Sequence, residues 1–124
     1  MAVPVADLVP FLARKPEQIA KGPLAIILIE DDAAVIETVR HHLARGFRHV
    51  LVLSDRPAAL PDEMERRVTN LIFPTRKIDA HVDAVNAVIA AVPAGTWLYY
   101  CFNAEFLFYP FSETRSVGEL LAFH

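Results

Sequence analysis

The apolar positions of this chain fall into two alternating kinds of run. Leu24 to Ile29 is unbroken apolar sequence, and His49 to Leu53, Val68 to Phe73 and Thr96 to Phe102 are short segments of similar character. Short, continuously apolar runs suit strands buried on both faces, as in parallel sheets. Trp97, Tyr99 and Tyr100 add β-prone bulk to the last of them. Between these runs the spacing becomes helical: Val35, Ile36, Val39 and Leu43 form one stripe, and Ile78, Val82, Val85, Ile89 and Val92 form another. Gly46 is placed as the left-handed residue that ends the first helix, and Pro93-Ala94-Gly95 closes the second. The alternation predicts an α/β fold, a mainly parallel and Rossmann-like sheet of about four strands with helices on both faces and the 24–29 strand central.

The remaining segments read as connections. Residues 1–23 form an N-terminal arm ahead of an α/β domain spanning 24–124. Within the arm Val5, Leu8, Val9 and Leu12 have helical spacing, Pro10 interrupts it, and Glu17 to Lys21 makes a short turn of helix between Pro16 and Gly22. Leu8, Phe11, Leu12 and Ile19 are its expected packing residues. Pro57 and Pro61 mark a loop, and Asp62 to Arg67 can form a short polar helix. Asn103 to Glu113 is an aromatic loop with Phe106, Phe108, Tyr109 and Phe111, expected in the core or at an interface. Ser116 and Glu119 make a capping box that opens a last helix at Val117 and runs to His124.

Composition narrows the function classes. The 124 residues are 54% hydrophobic with a formal net charge of −3. No basic block points to a polyanionic partner, so nucleic acid is not expected. The apolar excess in so short a chain, with a helix that stops at His124, leads to the expectation of a homo-oligomer or of a missing C-terminal region. Cys101 is the only cysteine, which leaves no disulfide framework and no zinc pattern. No apolar run reaches the length of a membrane span, and the N-terminus lacks a signal-peptide pattern, so a cytoplasmic location is expected.

The candidate chemistry sits at the ends of the first two strands of that domain. Glu30, Asp31 and Asp32 follow Ile29 directly, and Ser54 and Asp55 follow Leu53. In open α/β sheets, ligands bind beyond the carboxyl ends of the strands. Asp31 or Asp32 also suits the N-cap of the next helix. His42, near the end of that helix, reads as a surface residue facing the helix dipole more readily than as a catalyst. No Ser-His-Asp spacing, Walker loop or glycine-rich phosphate turn is present.

Most of the chain after the arm resembles the family-2-type, GT-A-like glycosyltransferases, in their short bacterial branch. Glu30 matches the acidic residue after the first strand. Glu37, His42 and Gly46 match a Glu-(x4)-His-(x3)-Gly pattern, His49 and Val50–Leu53 continue it, Trp97 opens the fourth strand, and Glu105-Phe106-Leu107 matches the tail of an Asp-x-Asp-Glu-Phe-Leu motif. The resemblance implies transfer of a sugar from a nucleotide sugar. It implies nucleotide contact by Glu30, Asp31, Asp32, Ser54 and Asp55, and acceptor-side or metal-side contact by Asn103 and Glu105. It also implies a manganese or magnesium ion on the Asp-x-Asp aspartates. Here Phe102 and Ala104 stand at those two positions and offer no oxygen ligand, so such an ion requires compensation from elsewhere. No catalytic residue follows from the sequence. A non-catalytic binding or assembly domain on the same scaffold is the alternative. The acidic trio is also similar to the opening of a receiver signalling domain, although Phe73-Pro74-Thr75 supplies no phosphate-accepting aspartate and Tyr109 replaces the expected lysine.

Overall fold

A computed structural model describes residues 3–108 and 116–121. Five strands, β1 (Val5–Asp7), β2 (Leu24–Leu28), β3 (His49–Ser54), β4 (Val68–Ile72) and β5 (Leu98–Phe102), form one sheet in the order β1-β4-β3-β2-β5. Every pairing is parallel. The fold is α/β as the hydrophobic pattern predicts. The four expected strands are all present, and a fifth comes from the arm, whose Val5, Ala6 and Asp7 pair with Asn70, Leu71 and Ile72 of β4. That strand was not legible because its three residues carry no apolar run. It also moves β3, and not the 24–29 strand, to the middle of the sheet.

Alternation along the strands divides the core in two. Ala25, Ile27, Val50, Val52, Val68 and Cys101 point to one face, where α2 (Val35–Ala44) packs through Val39 and α4 (Val117–Leu121) through Val117. Leu24, Ile26, Leu28, Leu51, Leu53 and Leu71 point to the other, beneath α1 (Leu8–Ala13) and α3 (Ala80–Ala91). Leu8, Phe11, Leu12 and Ile19 of the arm are all buried there, as their spacing suggests. The chain steps from β2 to β3 to β4 in one direction, then returns through α3 to β5 at the far edge. A right-handed return must cross the opposite face, so α2 and α3 lie on opposite sides.

Several local expectations are corrected. The stripe expected on α3 is inward only in part: Val85 and Val92 pack half-buried against the core beside the buried Ala80, Ala84 and Val88, whereas Ile78, Val82 and Ile89 are 86%, 44% and 54% exposed. The small alanine face sits in the core beside α1. Residues 62–67 form only a short 3-10 turn, Asp62–Met64, and the arm's second helical segment is likewise a 3-10 turn, Glu17–Ile19. Gly46 does take the left-handed conformation, at φ 94°, and a Cβ there would lie 2.7 Å from Ser116 Cβ. The capping box forms: Ser116 N donates to Glu119 Oε1 and Glu119 N donates to Ser116 Oγ. Tyr109, Phe111, Glu113 and the helix end at His124 lie outside the described residues. No helix among the described residues is long and apolar enough to cross a membrane.

Candidate functional site

The direction of chain travel across the sheet reverses between β2 and β5, where ligand crevices form in such folds. The loop that leaves β2 is pinned there from both sides. From β5, Asn103 Oδ1 accepts from Glu30 N at 2.9 Å, and Asn103 Nδ2 donates to Asp31 Oδ1 at 2.6 Å and to Ala33 O at 2.8 Å. From beyond β4, Thr75 Oγ1 donates to Ile29 O at 2.8 Å. Both side chains are buried. Asp31 Oδ1 also accepts from Ala33 N at 2.9 Å. The hydrogen bonds from Ala33 and Asn103 hold the Asp31 carboxyl below its ordinary range.

This arrangement corrects the expected helix cap. The N-cap of α2 is Ala34, in the left-handed region at φ 50° and without a side-chain cap bond. Asp31 instead closes an Asx turn ahead of the helix, and Thr38 Oγ1 bonds back to Ala34 O in the first turn.

Above the pinned loop, between the carboxyl ends of β2 and β3, lies a cleft of about 560 Å³. Glu30, Asp31, Asp32, Ser54 and Asp55 all line it, so five candidate residues at two separate strand ends border one cleft. Glu37 adds a further carboxylate, and Arg56 and Arg76 bring cations. The Nε atoms of Arg56 and Arg76 stand 4.0 Å and 3.8 Å from the two oxygens of Asp55. These groups are solvent-exposed, so the pairs are loose and either guanidinium can turn to another anion. Glu30 and Arg76 also border a second cleft of about 340 Å³ with Thr75, Lys77, His81 and Phe102. Arg56, Thr75 and Arg76 were not among the residues selected from sequence. A proline-flanked loop gives no spacing from which to assign them.

Asn103 and Glu105 do not join the carboxylate cleft. Asn103 lies under the β2 loop with both ends of its amide engaged. Glu105 folds back, its Oε1 accepting from Phe102 N at 2.6 Å in a turn that puts Ala104 at φ 65°. With Phe102 and Ala104 at the two motif positions and no side-chain oxygen from either, this turn does not fit the divalent ion that the resemblance implies. Among the described residues no group of three His, Cys, Asp or Glu side chains could hold a metal ion.

His42 is corrected as well. It is fully buried against β5, with Nδ1 2.7 Å from Thr38 O, Nε2 3.7 Å from Cys101 Sγ, and its ring stacked on Tyr99. Burial depresses its pKa, and burial likewise pushes the Cys101 thiol and the Tyr99 hydroxyl up to about 12. At neutral pH the trio is uncharged, so Cys101 is a packed thiol and not a nucleophile. Its neighbour His41 takes the surface role, with Nε2 2.9 Å from Leu107 O and its ring against Phe106 and Phe108. Comparison with family models, curated proteins and solved structures yields no match.

Proposed function

We propose that the β2–β3 cleft binds the nucleoside diphosphate part of a nucleotide sugar, and that the chain is a glycosyltransferase-like domain whose nucleotide contact needs no metal. The observation that supports this most is the meeting of Glu30, Asp31, Asp32, Ser54 and Asp55 along one cleft at the carboxyl ends of adjacent parallel strands. Carboxylates there can accept hydrogen bonds from ribose hydroxyls or base N–H groups. Arg56 and Arg76, held only loosely by Asp55, can swing to a diphosphate and neutralise charge that a metal would otherwise meet. The cleft volume lies within the usual range for small-molecule sites.

The state of the β5 turn favours binding over transfer. Asn103 and Glu105 are engaged in fixing backbone, so they offer no acceptor-side or metal-side chemistry as they stand. Calorimetry with uridine and guanosine diphosphates, each with manganese and with chelator, tests the reading. One of the two should bind equally well in both conditions. Asp55→Asn and Arg76→Ala should each weaken that binding, by roughly 1.5–3 kcal/mol for loss of a hydrogen bond to a charged group. Absence of binding at millimolar nucleotide refutes the nucleotide reading, and affinity that appears only with manganese refutes its metal-free part.

A further inference from the structure

The opposite end of the sheet carries a second concentration of charge. Val50 of β3 pairs with Val68 of β4. Arg48 leads into β3, and Arg66 and Arg67 lie in the turn that leads into β4, so the two strand starts bring three arginines to one end of the sheet. Like charges gathered in one place repel. Among the described residues no carboxylate lies within ion-pair distance of Arg48, Arg66 or Arg67. Arg67 is held in place because its Nη2 donates to Leu43 O at 3.2 Å, in the last turn of α2, and to Phe47 O just beyond that helix. The three arginines, His49, Glu17 and Gln18 line a cleft of about 520 Å³. Glu17 offsets only one of the three positive charges.

We propose that this cleft is an anion site that takes the phosphate group of a small molecule, with Arg48 and Arg66 as its principal ligands and Arg67 as a fixed third charge. The chemistry follows from the guanidinium groups. Each presents a planar fork of donors that matches phosphate oxygens two at a time, and a bound dianion turns the mutual repulsion of the cations lining the cleft into a shared attraction. Gln18 adds a neutral donor for an ester oxygen. His49 lies in the wall, buried, with Nε2 2.8 Å from Thr69 Oγ1. Burial, with Arg67 and Arg48 adding to it, lowers its pKa to about 4, so the ring is neutral and senses the field of the arginines without adding to it. The site lies at the amino ends of the strands and is separate from the β2–β3 cleft, so it stands whether or not that cleft binds nucleotide.

The test is nuclear magnetic resonance titration of the intact chain with inorganic phosphate and with glycerol phosphate, against sodium chloride at matched ionic strength. Either phosphate should move the His49 ring signals and the amides of residues 48, 49, 66 and 67 saturably, and should raise the His49 pKa. The Arg48→Ala/Arg66→Ala double variant removes two exposed side chains and should keep its spectrum elsewhere. It should bind phosphate roughly tenfold or more weakly, the scale of lost charge-assisted hydrogen bonds. Shifts that chloride reproduces, or an unchanged affinity in the double variant, overturn the proposal.

Discussion

His49 and His42 are buried and uncharged, and this makes them a source of acid sensitivity. In both, burial lowers the folded-state pKa below the value of about 6.5 expected in the unfolded chain. The unfolded chain therefore binds protons first as pH falls, and stability drops wherever it holds more protons than the folded chain. The contribution is fully present above pH 6.5. It declines as the pH falls from there to about 4, where folded His49 is itself half protonated and the decline levels off. For His49 the loss over that window is roughly 3 kcal/mol, because each pH step between the unfolded and folded pKa values is worth about 1.4 kcal/mol. Denaturant titration at pH 7 and pH 4.5 should show the decline, and His49→Gln, which can still bond Thr69, should shallow it. A slope unchanged by that substitution would assign the acid sensitivity to other groups. His42 was misread from sequence for a physical reason. Its place three residues after Val39 puts it on the inner edge of the stripe, and its imidazole satisfies itself inside by bonding the carbonyl of Thr38 one turn back.

Helix phase and loop clamping decide the elements. On α3 the strongest apolar residues suggest one face, but packing in the core beside α1 turns another inward. The alanines at 80 and 84 fit where branched side chains would not. Ala84→Leu should therefore cost about 1–3 kcal/mol by overpacking, whereas Ile89→Gln should stay within about 0.5 kcal/mol. Equal effects in thermal unfolding would return the helix to the phase that hydrophobicity alone predicts. The β2 loop shows the converse, a polar residue whose position was legible and whose work was not. Asn103 was selected for its place in a metal motif. Its amide instead joins β5 to the backbone of Glu30 and Ala33 and to the Asp31 carboxylate. Asn103→Ala should cost roughly 2–4 kcal/mol, since several buried hydrogen bonds go at once and one of them meets a charge. Asn103→Asp should be no better, because it removes the donors and sets a carboxylate against Asp31. If Asn103→Asp instead gained stability on addition of manganese, the turn would be a metal site after all. Spacing could locate Asn103 but could not tell a ligand from a clamp, because both require a polar side chain at a strand end.

At the scale of the molecule, the strands of the central sheet were legible because continuous apolar runs have few other uses in a chain of this size. The arm was legible only in part. Its buried residues could be named from spacing, but its pairing could not, since Val5, Ala6 and Asp7 become a strand only because β4 offers an edge. This pairing makes the arm integral to the sheet. Val5–Asp7 covers the outer edge of Asn70–Ile72, and Leu8, Phe11, Leu12 and Ile19, none more than 5% exposed, roof Leu71, Leu53 and Leu51. Burying a phenylalanine of this kind is worth about 3–5 kcal/mol as measured by truncation to alanine. A domain of this length has a total stability on the order of 6–19 kcal/mol. Phe11→Ala should therefore remove a large fraction of the stability and lower the urea midpoint with little change in slope. Deleting residues 1–13 should do more, because it opens an apolar groove and leaves the backbone groups of β4 unpaired at an exposed edge, the condition under which sheets associate edge to edge. The shortened chain should unfold without a cooperative transition or aggregate on expression. If it stayed soluble and unfolded at the same urea concentration as the full chain, the arm would be an appendage and the sheet would stand on four strands.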